Sequence, residues 1–194
     1  MNNKLRNITE LLRDLPGISL KNAERLAIKL VEDKSLLDIL NKLNQEINLL
    51  KKDELTGLII EKDAIANENK DKDLLIILES NKDLNNVLLK TNTNKSFFIL
   101  DMENKRDFQN MEKLLERLFK CIKEYNPKEV LFLLSPSIES ELVMRVVKEE
   151  MPKNFNQEKL PKLTRLSMGI PFGGSIEFSD ERTIREAMKK REEA

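Results

Sequence analysis

Leu74-Leu-Ile-Ile-Leu-Glu79 is an uninterrupted aliphatic run closed by a carboxylate, and its reading decides the fold class of this chain. A short apolar run without alternation reads as a strand buried on both faces. Phe97-Phe-Ile-Leu100 and Val130-Leu-Phe-Leu-Leu134 repeat the pattern farther on. The stretches between carry a helical period instead. Met111, Leu114, Leu115, Leu118, Phe119 and Ile122 share one helix face, and Leu142, Val143, Val146 and Val147 share another. Strands alternating with helices predict an α/β fold, with a mostly parallel sheet and helices on both of its faces. Toward the C-terminus, Pro152 and Pro161 are expected to bracket a loop and Lys162 to Ser167 to add a strand. A further short strand is expected around Ile176, with Asp180 capping a last helix that runs to Arg191, so the segment reads as loop, strand, helix.

Upstream of the sheet the pattern is helical. An apolar-periodic helix over Asn7 to Arg13 runs into Asp14-Leu-Pro-Gly17, where Pro16 and Gly17 force a tight turn. Leu20, Ala23, Leu26, Ala27 and Leu30 then recur at helical spacing and leave Lys21, Arg25 and Lys29 on another face. Leu36, Leu40, Leu43, Ile47 and Leu50 predict a third, amphipathic helix that packs on this pair and is a candidate dimer interface. From Lys51 to Asp73 the pattern weakens into charge and Asn, around a minor strand at Leu58-Ile-Ile60. The organisation expected is a helical hairpin domain at 1–50, a connector at 51–73, an α/β domain at 74–152 and a C-terminal segment at 153–194.

Composition narrows the chemistry. Lys+Arg and Asp+Glu balance at 34 each among 194 residues, so any nucleic-acid binding must use a local basic patch. One cysteine, Cys121, excludes an intrachain disulfide, and with no histidine the chain lacks the ligands for a tetrahedral zinc site. Histidine-based acid, base or nucleophile chemistry is excluded as well. No basic segment followed by an apolar stretch suggests a secretory signal or a membrane span, so a cytoplasmic protein is expected.

Three constellations stand out. The first is the Leu15 to Ala27 hairpin, with the arrangement of a helix-hairpin-helix phosphate clamp. A tight turn at a helix N-terminus presents backbone N–H groups and the positive end of the helix dipole, here at Gly17, Ile18 and Ser19. Lys21 and Arg25 stand ready to contact the same nucleic-acid strand without reading its sequence. The plain alternative is an ordinary helical hairpin with solvated cations. The second constellation is Glu79 after the first buried strand with Glu139 and Glu141 after the third, carboxylates that converge on one edge of a parallel sheet and suit Mg²⁺. The plain alternative is acidic residues opening a helix, which the dipole favours. The third is Gly169-Ile-Pro-Phe-Gly-Gly174. It is no P-loop, since no Gly-Lys-Ser/Thr follows, and by itself it reads as a set of turn glycines.

Taken in this order, the hairpin, the acidic α/β segment and the run Arg165, Gly169, Ile170, Pro171, Gly173, Gly174, Ile176, Glu177, Phe178, Asp180, Glu181 and Thr183 resemble the RecR recombination-mediator family over nearly the whole chain. Glu79 followed by Glu139-Ser-Glu141 also resembles the acidic pattern of the Toprim domain that this family carries. The resemblance implies a non-enzymatic DNA-binding protein of DNA repair. It implies action with RecO to promote RecA loading on single-stranded or gapped DNA, and assembly as a homo-oligomer, a dimer or a tetramer ring, that encircles DNA. It assigns phosphate contacts to the hairpin and a RecO-contacting acidic patch to Glu79, Glu139 and Glu141. The alternative is a Mg²⁺-dependent Toprim nuclease using the same three carboxylates. A strand-passing enzyme is disfavoured because Tyr125 precedes Asn126-Pro127 in a predicted turn. The chain departs from the family in three places. Lys51 to Asp73 has no cysteine where the family carries a four-cysteine zinc finger, so a metal-free remnant and no cofactor are expected. Asp101-Met-Glu-Asn-Lys-Arg-Asp107 replaces a loop rich in Gly, Pro and Ser, and Leu142 and Val143 stand where small and hydroxyl residues are usual.

Overall fold

The computed structural model describes residues 2–101, 111–156, 160–167, 169–170 and 173–190. The chain divides into two compact units, residues 1–51 and 52–194.

In the first unit, α1 (Asn3–Arg13), α2 (Leu20–Glu32) and α3 (Lys34–Asn48) follow one another with short joints. Helix α1 starts four residues earlier than its apolar period suggests, because the Asn2 side chain caps it by accepting from the Lys4 amide. Ala23 and Ala27 are fully buried on α2 and Thr9 is buried on α1, so small side chains let the two axes approach. Asp33 ends α2 and caps α3 through the Ser35 amide. The side chain of Asp33 is held below the usual carboxylate range by its bonds to the Ser35 hydroxyl and amide.

The second unit is built on a four-stranded parallel sheet. Strand β1 (Leu50–Lys52) at the junction and β2 (Ile59–Glu61) form a small ribbon. The main sheet contains β3 (Asp71–Leu78), β4 (Lys95–Ile99), β5 (Glu129–Phe132) and β6 (Lys162–Arg165) in the order β4-β3-β5-β6. Its pairs are parallel throughout, with Leu75 opposite both Ser96 and Val130, and Val130 opposite Leu163. Helices α4 (Asn81–Thr91), α5 (Met111–Tyr125), α6 (Ile138–Asn154) and α7 (Glu181–Lys189) complete the unit.

The strand order explains the layers. The chain leaves β3 in one direction to form β4, then crosses back over β3 to form β5 and continues to β6. Right-handed crossovers therefore put α4 on one face and α5 and α6 on the other. Burial agrees, because side chains alternate across a strand. Leu75, Ile77, Phe98 and Leu100 pack with Leu118, Ile122, Val143 and Val147 of α5 and α6. Ile76, Leu78, Phe97 and Ile99 face the other way, toward Leu84 and Val87 of α4 and Leu58 and Ala66 of the connector.

The connector is held by hydrogen bonds. Asp53 Oδ1 accepts from both the amide and the hydroxyl of Thr56 at 2.7 Å, and the Thr56 carbonyl accepts from the Ile99 amide at 2.7 Å. Gly57 has φ +74°, and a Cβ there would lie 3.1 Å from the Ile99 carbonyl oxygen. Asn67, at φ +54°, presents its side-chain amide to β4 as a neighbouring strand would: Oδ1 accepts from Phe97 N and Nδ2 donates to Phe97 O, both at 2.9 Å. Asn67 Nδ2 also lies 3.3 Å from the Tyr125 hydroxyl, which donates in turn to Ala66 O at 3.3 Å. An outer strand's unpaired groups invite association with other chains. At β4 the connector occupies them.

Two sequence expectations are corrected. Ile176–Phe178 is a turn of 3₁₀ helix capped by Ser175, not a strand. Ile176 and Phe178 are 67% and 86% exposed, so no packed face holds the backbone extended. Pro152 does not open a loop, because α6 continues through it to Asn154. A proline in the last turn sacrifices only the bond to residue 148, close to where the ladder would end anyway. Residues 102–107 of the expected divergent loop, Met168, Pro171, Phe172 and the helix end at Arg191 lie outside the described residues.

Candidate nucleic-acid interface and acidic cluster

The hairpin turn is built from local rules. Helix α1 ends with the Asp14 amide donating to Glu10 O, after which Leu15 N bonds Leu12 O and Ile18 N bonds Leu15 O, each at 3.3 Å. Gly17 takes φ +83°, and a Cβ there would meet nothing within 4 Å. Backbone conformation rather than crowding thus requires the glycine, and the outside of the turn is open. Ser19 caps α2, its hydroxyl accepting from the Asn22 amide at 3.4 Å. Of the backbone positions predicted to hold phosphate, Ile18 uses its amide inside the turn. The amides of Leu20 and Lys21 begin the helix and lie ahead of its hydrogen-bond ladder.

Lys21 and Arg25 are exposed, one helical turn apart, on the side of α2 away from buried Ala23 and Ala27. Among the described residues neither makes an ion pair, and the first turn of α2 carries no acidic side chain. The positive end of the helix and the two cations therefore reinforce one another.

The three carboxylates are positioned differently from one another. The parallel sheet reverses its winding direction between β3 and β5, and the crevice beyond the carboxyl ends of those strands is where such sheets hold ligands. Glu79 sits there, half-buried. Its Oε1 accepts from the Ser135 amide at 2.6 Å and from the Ser140 hydroxyl at 3.3 Å. Ser137 caps α6 through the Ser140 amide and lies 3.0 Å from the buried Ser140 hydroxyl. The resulting Glu79–Ser140–Ser137 chain fixes the start of α6 against the end of β3.

Glu141 points elsewhere. It accepts from Arg165 Nη1 of β6 at 2.8 Å and from Arg182 of α7, tying α6 to the C-terminal segment. Glu139 is exposed and makes no hydrogen bond or ion pair among the described residues. The structure thus brings Glu79 and Glu141 to the same end of the sheet but commits each to protein donors, and no group of three metal-ligating side chains occurs among the described residues. The sequence reading missed Ser135, Ser137, Ser140, Arg165 and Arg182 as partners. A capping signal exists in Ser137 ahead of the Glu139-Ser-Glu141 run; the arginines lie 24 and 41 residues from Glu141 and left no local signal.

Asp180 caps α7 as expected, accepting from the amide and hydroxyl of Thr183, and those bonds hold its carboxyl below the usual range. Among the described residues no helix is long and apolar enough to cross a membrane.

Comparison with known proteins finds relatives along nearly the whole chain. The family model described as "RecR, C-terminal" matches residues 169–192, the segment that begins at the glycine loop and contains α7. "Recombination protein RecR" of Francisella philomiragia is 27% identical over 97% of this chain and 94% of its own length. That of Syntrophomonas wolfei is 29% identical, covering 97% of this chain and 96% of its own length, and that of Bifidobacterium adolescentis is 25% identical, covering 96% and 94%. With a matching C-terminal model and relatives of one name along nearly its whole length, the chain is similar to RecR recombination proteins from end to end.

Proposed function

We propose that this protein is a non-enzymatic, DNA-binding recombination mediator that grips the phosphate backbone with its N-terminal hairpin. The carrying observation is the pair Lys21 and Arg25, exposed and, among the described residues, free of ion pairs beside an open turn at the head of α2. Acting as a homo-oligomeric ring, the protein would present several hairpins to one DNA molecule. Avidity would then offset the weak grip of each, given the balanced overall charge. An exposed apolar stripe on α3 supports self-association: Leu40, Leu43 and Ile47 lie one face apart by helical spacing and are 42%, 52% and 58% exposed.

In this reading a RecO-type partner docks at the carboxyl end of the sheet and the complex promotes RecA loading on single-stranded or gapped DNA. Glu139, the carboxylate without a protein donor among the described residues, would be the centre of that contact, with no resident cofactor required. The commitment of Glu79 to Ser135 and Ser140, and of Glu141 to two arginines, supports a docking and bracing role over Mg²⁺-dependent nuclease chemistry.

The test is fluorescence anisotropy on single-stranded, duplex and gapped DNA across a salt series, with and without the RecO partner. Lys21→Glu/Arg25→Glu is expected to weaken binding and flatten its salt dependence while oligomeric state is unchanged. Unchanged binding would move the DNA site away from the hairpin. Nicking of supercoiled DNA with Mg²⁺, lost in Glu141→Gln, would replace the mediator reading with the nuclease one.

A further inference from the structure

We propose a second phosphate-binding surface, resting on the DNA-binding reading above but separate from the hairpin: the cleft between α6 and β6, with Arg145 and Lys148 as its contacts. The cleft has a volume of about 420 Å³, and both side chains line it together with Arg165. Arg145 and Lys148 lie three residues apart on α6, so their side chains project as neighbours from one helix face. Both are exposed and neither makes an ion pair among the described residues.

The acidic side chain within the cleft is Glu141, four residues before Arg145 on the same face. Its charge is already shared by Arg165 and Arg182. Within the lining itself one carboxylate stands against Arg145, Lys148 and Arg165, so the cleft carries a net positive charge. Glu149, the acidic residue beside Arg145 on the helix, does not line the cleft. The inner wall is apolar and closed: Phe132 is 3% exposed, and its ring is not available for a base to stack on. Cations along the rim with no stacking platform and no free hydrogen-bonding side chain inside suit a sugar-phosphate backbone rather than a base. The Thr164 hydroxyl, which also reaches the cleft, is spent on Glu129 at 2.6 Å. Recognition of this kind carries no sequence information and registers as salt dependence.

Each phosphate contact on single-stranded DNA contributes about 0.7 to the slope of log affinity against log salt. Arg145→Gln/Lys148→Gln is therefore expected to flatten that slope by about 1.4 for a labelled oligo(dT). Neutralising substitutions on an exposed helix face leave packing intact, which circular dichroism and thermal melting verify. Lys113→Gln/Lys120→Gln on α5, an equal change of charge, is the control and is expected to leave the slope as it was. An unchanged slope in the α6 pair, or an equal flattening in both pairs, overturns the proposal. If Lys21→Glu/Arg25→Glu flattens the slope while the α6 pair does not, the hairpin reading stands and this surface alone is rejected. If the wild type binds no DNA, alone or with its partner, both fall.

Discussion

Replacing Asn67 isolates what holds the connector to the sheet. The Asn67 amide satisfies both backbone groups of Phe97, a residue 3% exposed, and reaches the Tyr125 hydroxyl. Glycine adopts the observed φ of +54° without strain, so Asn67→Gly removes the side chain and leaves the backbone conformation allowed. A buried donor or acceptor left unsatisfied costs about 1–3 kcal/mol. Two such groups at Phe97, partly relieved by entering water, set the expected loss at about 2–4 kcal/mol. For a chain of this size each kcal/mol lowers Tm by about 2–4 °C, so a fall on the order of 10 °C is expected. Asn67→Ala should lose about 1–2 kcal/mol more, since alanine resists the left-handed conformation. Urea denaturation gives the free energies, and hydrogen exchange at the Phe97 amide locates the loss. A change in Asn67→Gly below about 0.5 kcal/mol, with the Phe97 amide still protected, would refute the argument that this side chain closes the β4 edge.

Two further outcomes follow from burial and capping. Cys121 is fully buried, and burial pushes its thiol up to about 12, so a thiol reagent at neutral pH should label the native protein only at the rate of unfolding and the denatured protein at once. Asp180 is an exposed cap whose folded carboxyl lies below its ordinary value of 3.8. A depressed folded value means its contribution to α7 is present above that ordinary value and is lost as pH falls through the folded one. Asp180→Asn keeps a capping oxygen, so it should remove this acid-induced loss of Thr183 amide protection, read by NMR, while α7 persists at neutral pH.

The α/β class, the buried strands Leu74–Leu78, Phe97–Leu100 and Val130–Leu134, the Asp180 cap and the hairpin with Lys21 and Arg25 were legible in the sequence. All of these depend on near neighbours: a run of apolar residues, a helical period, an aspartate ahead of a helix, a glycine at a left-handed turn. The Arg165, Gly169 to Thr183 run was legible too, but only as a resemblance. Its local physics reads as turns, and the strand expected at Ile176 became a 3₁₀ turn because nothing packs on it.

Tertiary structure alone decided which partners the distant residues found. The sheet order β4-β3-β5-β6 set Glu79 beside Ser135 and Ser140, 56 and 61 residues away, and turned Glu141 toward Arg165 and Arg182. Three acidic residues that look like one cluster in the sequence thereby became two braces and one exposed carboxylate. The connector shows the same division. Its polar composition left only a minor strand to read, yet Asn67 finds the edge of β4 across 30 residues, and a single side-chain amide there does the pairing of a strand. Spacing along a chain fixes what is adjacent within a helix or a strand. Which charges meet across the sheet depends on the order in which the strands are laid down, and no local pattern records it.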